Sequence, residues 1–426
     1  MKKVFCLLLC LVLVCGVFSG CQTAQPGESA GAETTAPLGH ELQVGYGRVD
    51  ITPNQNVALG GHLSLFMSQD VREHIYASCI AFTDETDTTV LFFTMDLIGA
   101  REPVLYAKRA VSQATDVPAT QIVVATNHNH SAPDLGRTED PVIKEYNDNL
   151  KTWMSEAAVA AMADRKPVTS MSMGSKEVEG LNFVRHYLLS DGSYAGDNFG
   201  TWTGKTIVGH ATEVDDQLQV FRIVREGGKD VVLANFQGHP TGHDVYKYSV
   251  MCHTEVYRSY VENALDCHFS YILGASGNVN SKSRIKSENK AADYIEHGNM
   301  LGQEIVSVLE TAEALENTGM KFVKANFAAQ KNENVTQMPV SMLAIGDFAI
   351  VTAPYEMFCE SGMAIKAGSP YKMTFVSTCT DGSFSYIPSK ATFVYGGYEV
   401  NSTRFDEGTA EKLVDSYLQL LKENHG

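Results

Sequence analysis

Short β-branched and aromatic runs without clean polar alternation recur from Glu41 onward, and they constrain the fold of this chain more than any other feature. Thr89-Val-Leu-Phe-Phe-Thr94, Gln121-Ile-Val-Val-Ala-Thr126, Val231-Val-Leu-Ala-Asn-Phe236, Tyr271-Ile-Leu273, Phe348-Ala-Ile-Val-Thr352 and Met373-Thr-Phe-Val-Ser377 are apolar on both sides of an extended chain. That is the pattern of strands covered on both faces. Helical patterns lie at about 102–115, 141–164, 253–266, 289–315, 355–367 and 407–423. Strands alternating with helices predict an α/β fold, a layered sheet flanked by helices, with mixed or mostly parallel pairing left open. No internal repeat or second linker interrupts 43–426, which reads as one catalytic unit.

The residues just after each run carry the chemistry. Asp96 comes after the first, Asn127-His128-Asn129-His130 after the second, Gln237-Gly-His239 after the third, Gly274-Ala-Ser-Gly-Asn278 after the fourth and Pro354-Tyr-Glu356 after the fifth. Ligands of α/β sheets bind outside the carboxyl ends of strands, so these tips are candidates for one shared site if the strands are mostly parallel.

His128 and His130 share a face if their segment is extended, and paired imidazoles are metal ligands as well as ordinary loop residues. His239 and His243 are four apart, but Pro240 and Gly242 oppose a helix and no Glu follows His239, so the zincin pattern fails. His239, directly after a buried run, is the better ligand, whereas His243, His253, His62, His74 and His210 read as solvated or backbone-satisfied. Glu356 opens the predicted 355–367 helix, either as an acid favoured by the helix dipole or as a ligand or base. Asp96 either orients a ligating histidine or caps. No phosphate-binding loop and no Gly-x-Ser-x-Gly elbow occurs, which disfavours nucleotide and serine-triad chemistry.

The N-terminus is of another kind. Met-Lys-Lys precedes an apolar run from Val4 to Phe18, about 22 Å as a helix and short of the ~30 Å hydrocarbon thickness. With Phe18-Ser-Gly-Cys21 it reads as a lipoprotein export signal over 1–20, cleaved before a lipidated Cys21. Secretion and an uncleaved anchor are the alternatives. Residues 21–42 form a flexible tether. The expected location is therefore extracytoplasmic, lipid-anchored at the surface of a bacterial cell. The 33 Lys+Arg against 50 Asp+Glu give a formal charge of −17. Removing Lys2 and Lys3 makes the mature chain more acidic still, so nucleic acid is excluded as a partner and membrane attachment falls to the lipid alone. Of nine cysteines, Cys79, Cys252, Cys267, Cys359 and Cys379 lie in the folded part, too scattered for a disulfide framework.

Six motifs in order, Gly45-Tyr-Gly-Arg-Val-Asp-Ile-Thr-Pro53, Phe92-Phe-Thr-Met-Asp96, Thr126-Asn-His-Asn-His-Ser-Ala-Pro133, Gln237-Gly-His-Pro-Thr241, Pro354-Tyr-Glu356 and Ser385-Tyr-Ile-Pro-Ser389 through Gly397-Tyr-Glu399, resemble the catalytic domain of the neutral/alkaline non-lysosomal ceramidases. The resemblance runs from about residue 43 to the end. It implies one zinc per chain on His128, His239, Glu356 and Tyr386, with Glu356 near the attacking water and His130 beside the metal as a proton or hydrogen-bond partner. It also implies Tyr398 as a donor to the substrate carbonyl.

Two departures qualify the likeness. Where the family carries a serine in Gly-Asp-Val-Ser-Pro-Asn, this chain has Asn280, which can still hydrogen-bond an oxyanion but cannot act as a serine nucleophile. The family's immunoglobulin-like C-terminal domain has no counterpart in the sequence. The expected function is zinc-dependent hydrolysis of the amide bond of an N-acyl lipid. The alternatives are a zinc hydrolase of the same family acting on a peptide, an acylated sugar or another ester or amide, and a surface lipoprotein that binds a ligand without turnover.

Overall fold

Three strand–helix–strand crossovers organise the molecule. A computed structural model describes residues 42–240, 248–316 and 319–426; the export signal, Cys21, the tether and His243 lie outside them. The first crossover runs from β3 (Thr89–Met95) through α1 (Glu102–Thr115) to β4 (Ile122–Thr126). The second joins β7 (Val231–Phe236), α3 (His253–Leu265) and β8 (His268–Leu273). The third joins β11 (Phe348–Thr352), α5 (Cys359–Gly368) and β12 (Met373–Ser377). In each, the two strands pair in parallel, as a helical crossover requires.

Antiparallel strands connect these units into a mixed α/β architecture. With β1 (Gln43–Asp50), β2 (Tyr76–Thr83), β5 (Lys166–Glu177) and β6 (Gln217–Arg225), the large sheet runs β8-β7-β6-β5-β1-β2-β3-β4. The short strand Glu313–Leu315 pairs with β5 as its ninth member. A second sheet runs β9-β10-β11-β12, where β9 is Met320–Lys331 and β10 is Asn334–Ile345.

The large sheet folds at the β1/β5 junction, where only Gln43↔Pro167 and Val44↔Lys166 pair. Its halves then face one another: Thr94 Oγ1 on β3 donates to Ser270 Oγ on β8 at 3.3 Å, and the Tyr46 hydroxyl donates to the Phe269 carbonyl at 3.3 Å. The shared core takes Phe92 and Val123 from one half, Phe221 and Leu233 from the other, and Phe348 and Phe375 from the second sheet. Phe221 stacks on Phe348 with centroids 4.0 Å apart. Helices cover the outer faces: α1 and α2 (Pro141–Ala163) over one half, α3 and α4 (Tyr294–Glu310) over the other, and α6 (Thr409–Asn424) over the second sheet. Every strand of the three crossovers is therefore buried on both sides, which is why their sequences show no polar alternation.

Two helices differ from the sequence reading. The pattern at 289–315 becomes helix only at Tyr294, where the Asp293 carboxylate accepts from the Glu296 amide and sets the N-cap, and it ends at Glu310 because Glu313–Leu315 is held as a strand against β5. The 355–367 pattern begins at Cys359, because Tyr355–Met357 is held as a strand beside Phe384–Ile387. Glu356 is therefore a strand residue paired with Tyr386, and the helix-dipole reading of it is overturned. The five described cysteines are free and buried. No helix among the described residues is long and apolar enough to cross a membrane.

Candidate metal centre

The carboxyl ends of the three parallel pairs supply the centre. From the first come His128 and His130, from the second His239 and the 274–280 loop, and from the third Glu356. Mixed pairing elsewhere in the sheets does not disturb this, because each contributing strand belongs to one of the parallel pairs.

His128 and His130 do not meet through strand alternation, as an extended segment would require. β4 ends at Thr126, and His128 stands in the left-handed region at φ 60°, a conformation that costs free energy and is held only where the surroundings over-determine it. Here the flanking asparagines hold it. Asn127 Nδ2 donates to Asp96 Oδ1 at 2.7 Å and to Thr254 Oγ1 at 2.6 Å. Asn129 Nδ2 donates to the Met251 carbonyl at 2.9 Å, and its Oδ1 accepts from the Ser131 amide at 3.0 Å. Asp96 contacts no ligand histidine and caps no helix: it takes both oxygens to Arg258 at 2.9 Å, accepts from the Tyr76 amide, and acts through Asn127.

The tautomers follow from the partners. His128 Nδ1 lies 2.7 Å from the Ile98 carbonyl and His239 Nδ1 lies 2.8 Å from the Ser276 carbonyl. A carbonyl only accepts, so each Nδ1 carries the proton and each Nε2 presents a lone pair, the arrangement of a metal ligand. Those Nε2 atoms, with His130 Nε2 and Glu356 Oε2, are buried without a hydrogen-bond partner. Glu356 Oε2 lies 3.3 Å from His128 Nε2 and 3.2 Å from His239 Nε2, close to the edge of about 3.3 Å expected between donors of a tetrahedral zinc site. His128, His130 and His239 offer ring nitrogens all within 4.8 Å of one another. The residues fit a divalent cation: His128 and His239 belong to either donor set, with His130 or Glu356 as the third.

Electrostatics bind the group together. Burial opposes the charged form of His128, but the Cys379 sulfur and the Glu356 carboxylate outweigh it and hold that imidazole well above its usual range. Burial likewise opposes ionised Glu356, yet the two imidazoles hold its carboxyl well below the carboxylate range. Burial, then Arg185 and His128, lowers His239 to about 4, and burial with the neighbouring imidazoles pushes His130 well down. Tyr386, opposite Glu356 in the strand pair, is pushed up by burial and then by the Glu356 carboxylate.

Two glycines make the approach. A Cβ on Gly277 would stand 2.8 Å from the Glu356 carbonyl, so the glycine after β8 serves backbone packing against the Glu356 strand. At Gly61, where φ is 77°, a Cβ would meet His130 Nδ1 at 2.5 Å.

Tyr386, Tyr398, Asn280, His130 and His239 line one cleft of about 800 Å³. The Tyr386 and Tyr398 rings meet edge to face with centroids 5.8 Å apart. Asn280 Nδ2 donates to Asp197 Oδ2 at 2.6 Å, so one of its two donors is spent there. Arg185, which no motif announced, closes the floor: its guanidinium lies 5.7 Å from the Tyr386 ring, donates to the Gly277 carbonyl at 2.8 Å and pairs with Glu399. Its only sequence signal is the acidic end of the Gly-Gly-Tyr-Glu399 motif, which demands a buried cation nearby. Of the other histidines singled out in the sequence, His74 pairs with Asp50, His210 pairs with Glu288 and His253 stacks on Tyr294, whereas His62 lines this same cleft and donates to the His130 carbonyl.

Three parallel crossovers meeting at a buried histidine cluster define an α/β protein with a metal-capable centre. Among solved structures this architecture is that of neutral ceramidase. A ceramidase complexed with C2 superposes with a TM-score of 0.69 at 12% identity over 90% of this chain and 76% of that chain. Neutral ceramidase from Pseudomonas aeruginosa superposes with a TM-score of 0.68 at 13% identity over 91% and 75%. No family model and no curated protein matches the chain. At that identity the likeness is one of fold.

Proposed function

We propose that this protein is a zinc-dependent amidohydrolase that cleaves the amide bond of an N-acylated compound. The observation that carries the reading is the convergence of four unpartnered buried atoms, Nε2 of His128, His130 and His239 and Oε2 of Glu356. A buried polar group without a partner costs about 1–3 kcal/mol; a cation between Nε2 of His128 and His239 and Oε2 of Glu356 relieves three of the four, and a proton relieves the fourth, on His130. His128, His239, Glu356 and Tyr386 would hold the metal. When bound, zinc supplies Lewis acidity at the amide carbonyl and lowers the pKa of water.

The chain's own residues handle protons and orientation. His130, kept neutral by burial and by its imidazole neighbours, accepts a proton from water at Nε2 and returns it to the departing nitrogen. The C–N bond breaks, the acyl carbon gains the water's oxygen and the amine leaves with the proton. Tyr398 and the uncommitted N–H of Asn280 are the donors for the carbonyl oxygen. With Asn280 where a serine would stand, attack by water is the route consistent with these residues.

Purified protein is expected to hold about one zinc per chain and to hydrolyse N-acyl amides, with both properties lost in His128→Ala. Wild-type protein that binds no divalent cation would sink the reading. Ligand binding with no hydrolysis at high protein concentration would instead favour a binding lipoprotein. We further propose that Cys21 carries the acyl anchor and places the centre outside the cell. Fatty-acid labelling that survives in Cys21→Ala would exclude it.

A further inference from the structure

The cleft is cationic in an acidic protein. Of its lining residues Arg185, Lys282, Arg284 and Lys286 are basic and only Asp197 is acidic, while the whole chain carries a formal charge of −17. Arg185 is neutralised by Glu399, and Arg284 Nε donates to Asp197 Oδ1 at 2.9 Å. Lys282 and Lys286 have no acidic partner among the described residues. The nearest acid in sequence, Glu288, turns its Oε2 to His210 at 2.9 Å and to Ser283 at 2.7 Å, and it makes no ion pair with either lysine.

This arrangement is built. Ser283 and Asn289 clamp the loop by mutual hydrogen bonds, the Ser283 amide to Asn289 Oδ1 at 2.8 Å and Asn289 Nδ2 to the Ser283 carbonyl at 2.9 Å. The Arg284 amide donates to the Tyr187 hydroxyl at 2.9 Å, and its guanidinium lies 4.8 Å from the Trp202 ring. Three like charges within five residues repel one another, and a chain rich in Asp and Glu leaves two of them unanswered at the mouth of the site.

Another part of the cleft lining is apolar. Leu63 and Phe66 line the cleft, with Leu63 82% and neighbouring Leu65 57% exposed. The segment is fixed rather than loose, because the Leu59 amide donates to the Phe66 carbonyl at 2.9 Å and His62 Nε2 donates to the His130 carbonyl at 2.9 Å.

We propose that the compound hydrolysed here is an anionic N-acyl amide, whose carboxylate, sulfonate or phosphate docks on Lys282 and Lys286 while its acyl chain lies along Leu63 and Phe66. This rests on the amidohydrolase reading and narrows its substrate. A neutral hydroxylated amine, such as the base of a ceramide, leaves both lysines unanswered. A carboxylate two bonds or a sulfonate three bonds from the amide nitrogen answers them, and its partly exposed ion pairs make binding sensitive to salt.

The test uses the full zinc-loaded chain with four amides of one acyl length: N-lauroylglycine, N-lauroyltaurine, N-lauroylethanolamine and the phosphate ester of that ethanolamide. The anionic amides are expected to show kcat/KM at least about tenfold above the neutral one at low salt, a ratio that shrinks as salt rises. The Lys282→Ala/Lys286→Ala double variant should bring the ratio toward one through KM, and the double Lys→Arg variant should keep it. The ranking among carboxylate, sulfonate and phosphate identifies the anion. Equal or faster hydrolysis of the neutral amide, or a ratio unchanged in the double alanine variant, overturns this inference and leaves the hydrolase standing. Hydrolysis of none of the four overturns both.

Discussion

Two glutamates in this protein, Glu399 buried and Glu356 half-buried, each sit between two basic side chains, and they have opposite outcomes. Glu399 accepts from Arg185 Nε at 2.8 Å and faces His186 Nε2 at 2.9 Å, and none of the three residues leaves a buried atom unpartnered. Glu356 stands between His128 and His239 at 3.3 and 3.2 Å, yet its Oε2 and both Nε2 atoms remain unpartnered. The difference is direction. Around Glu399 the hydrogens point at the oxygens, whereas around Glu356 the imidazole N–H groups are turned away to backbone carbonyls and lone pairs confront a carboxylate. The first cluster is complete as it stands, and the second is stable only with a cation or a proton among its atoms.

Removing the carboxylate of the complete cluster should have the largest effect on stability. Glu399→Ala leaves Arg185 buried without its counter-ion and is expected to cost roughly 3–5 kcal/mol, read as a lower denaturant midpoint. Burial opposes the ionised form of Glu399, but Arg185 and then His186 outweigh it and lower its pKa from 4.5 to about 2. A lowered carboxyl stabilises the fold fully above its unfolded value and loses that contribution as pH falls through the folded one. The stability gap between wild type and Glu399→Gln should therefore narrow between about pH 4.5 and 2. A gap constant with pH would show that the pair is not ionic.

At the incomplete cluster the effect should fall on metal and turnover. His128→Ala is expected to abolish zinc binding and cut hydrolysis at least ~100-fold. Zinc at a hundred times its Kd should stabilise wild type by about 2.7 kcal/mol, and calorimetry should show that increment lost in His128→Ala. If the variant keeps the increment, zinc sits elsewhere. The smallest effect is expected at Gly61→Ala, whose methyl would press on His130. Zinc content should hold while turnover drops about tenfold; loss of zinc instead would place His130 among the ligands.

Much of the fold and the centre is legible locally. β3, β4, β7, β8, β11 and β12 announce themselves as apolar runs because both their faces are covered, and the residues at their carboxyl ends are polar because those tips line the centre. The readings that fail are ones that non-local pairing decides. Glu356 reads locally as the first residue of a helix, and it is a strand residue because Phe384–Ile387, some thirty positions later in the chain, pairs with it. His128 and His130 read as neighbours on one strand face, and a left-handed turn held by Asn127 and Asn129 brings them together instead. Asp96 reads as a partner of histidine, and it serves Arg258 from a helix 162 positions away. Arg185 carries no local signal, since an arginine between Val184 and His186 becomes part of the site only through contacts with Gly277, Tyr386 and Glu399.

By itself, then, the sequence determined the α/β class, the six strands of the crossovers and the histidines at their ends that can offer a ring nitrogen to a metal, because apolar periodicity and side-chain chemistry are properties of short segments. Only the tertiary structure decided which of those residues meet, which nitrogens present lone pairs and which charges stay unpaired. Those depend on bringing three strand–helix–strand units, far apart in the chain, to one point, where backbone carbonyls of Ile98 and Ser276 set the tautomers of His128 and His239.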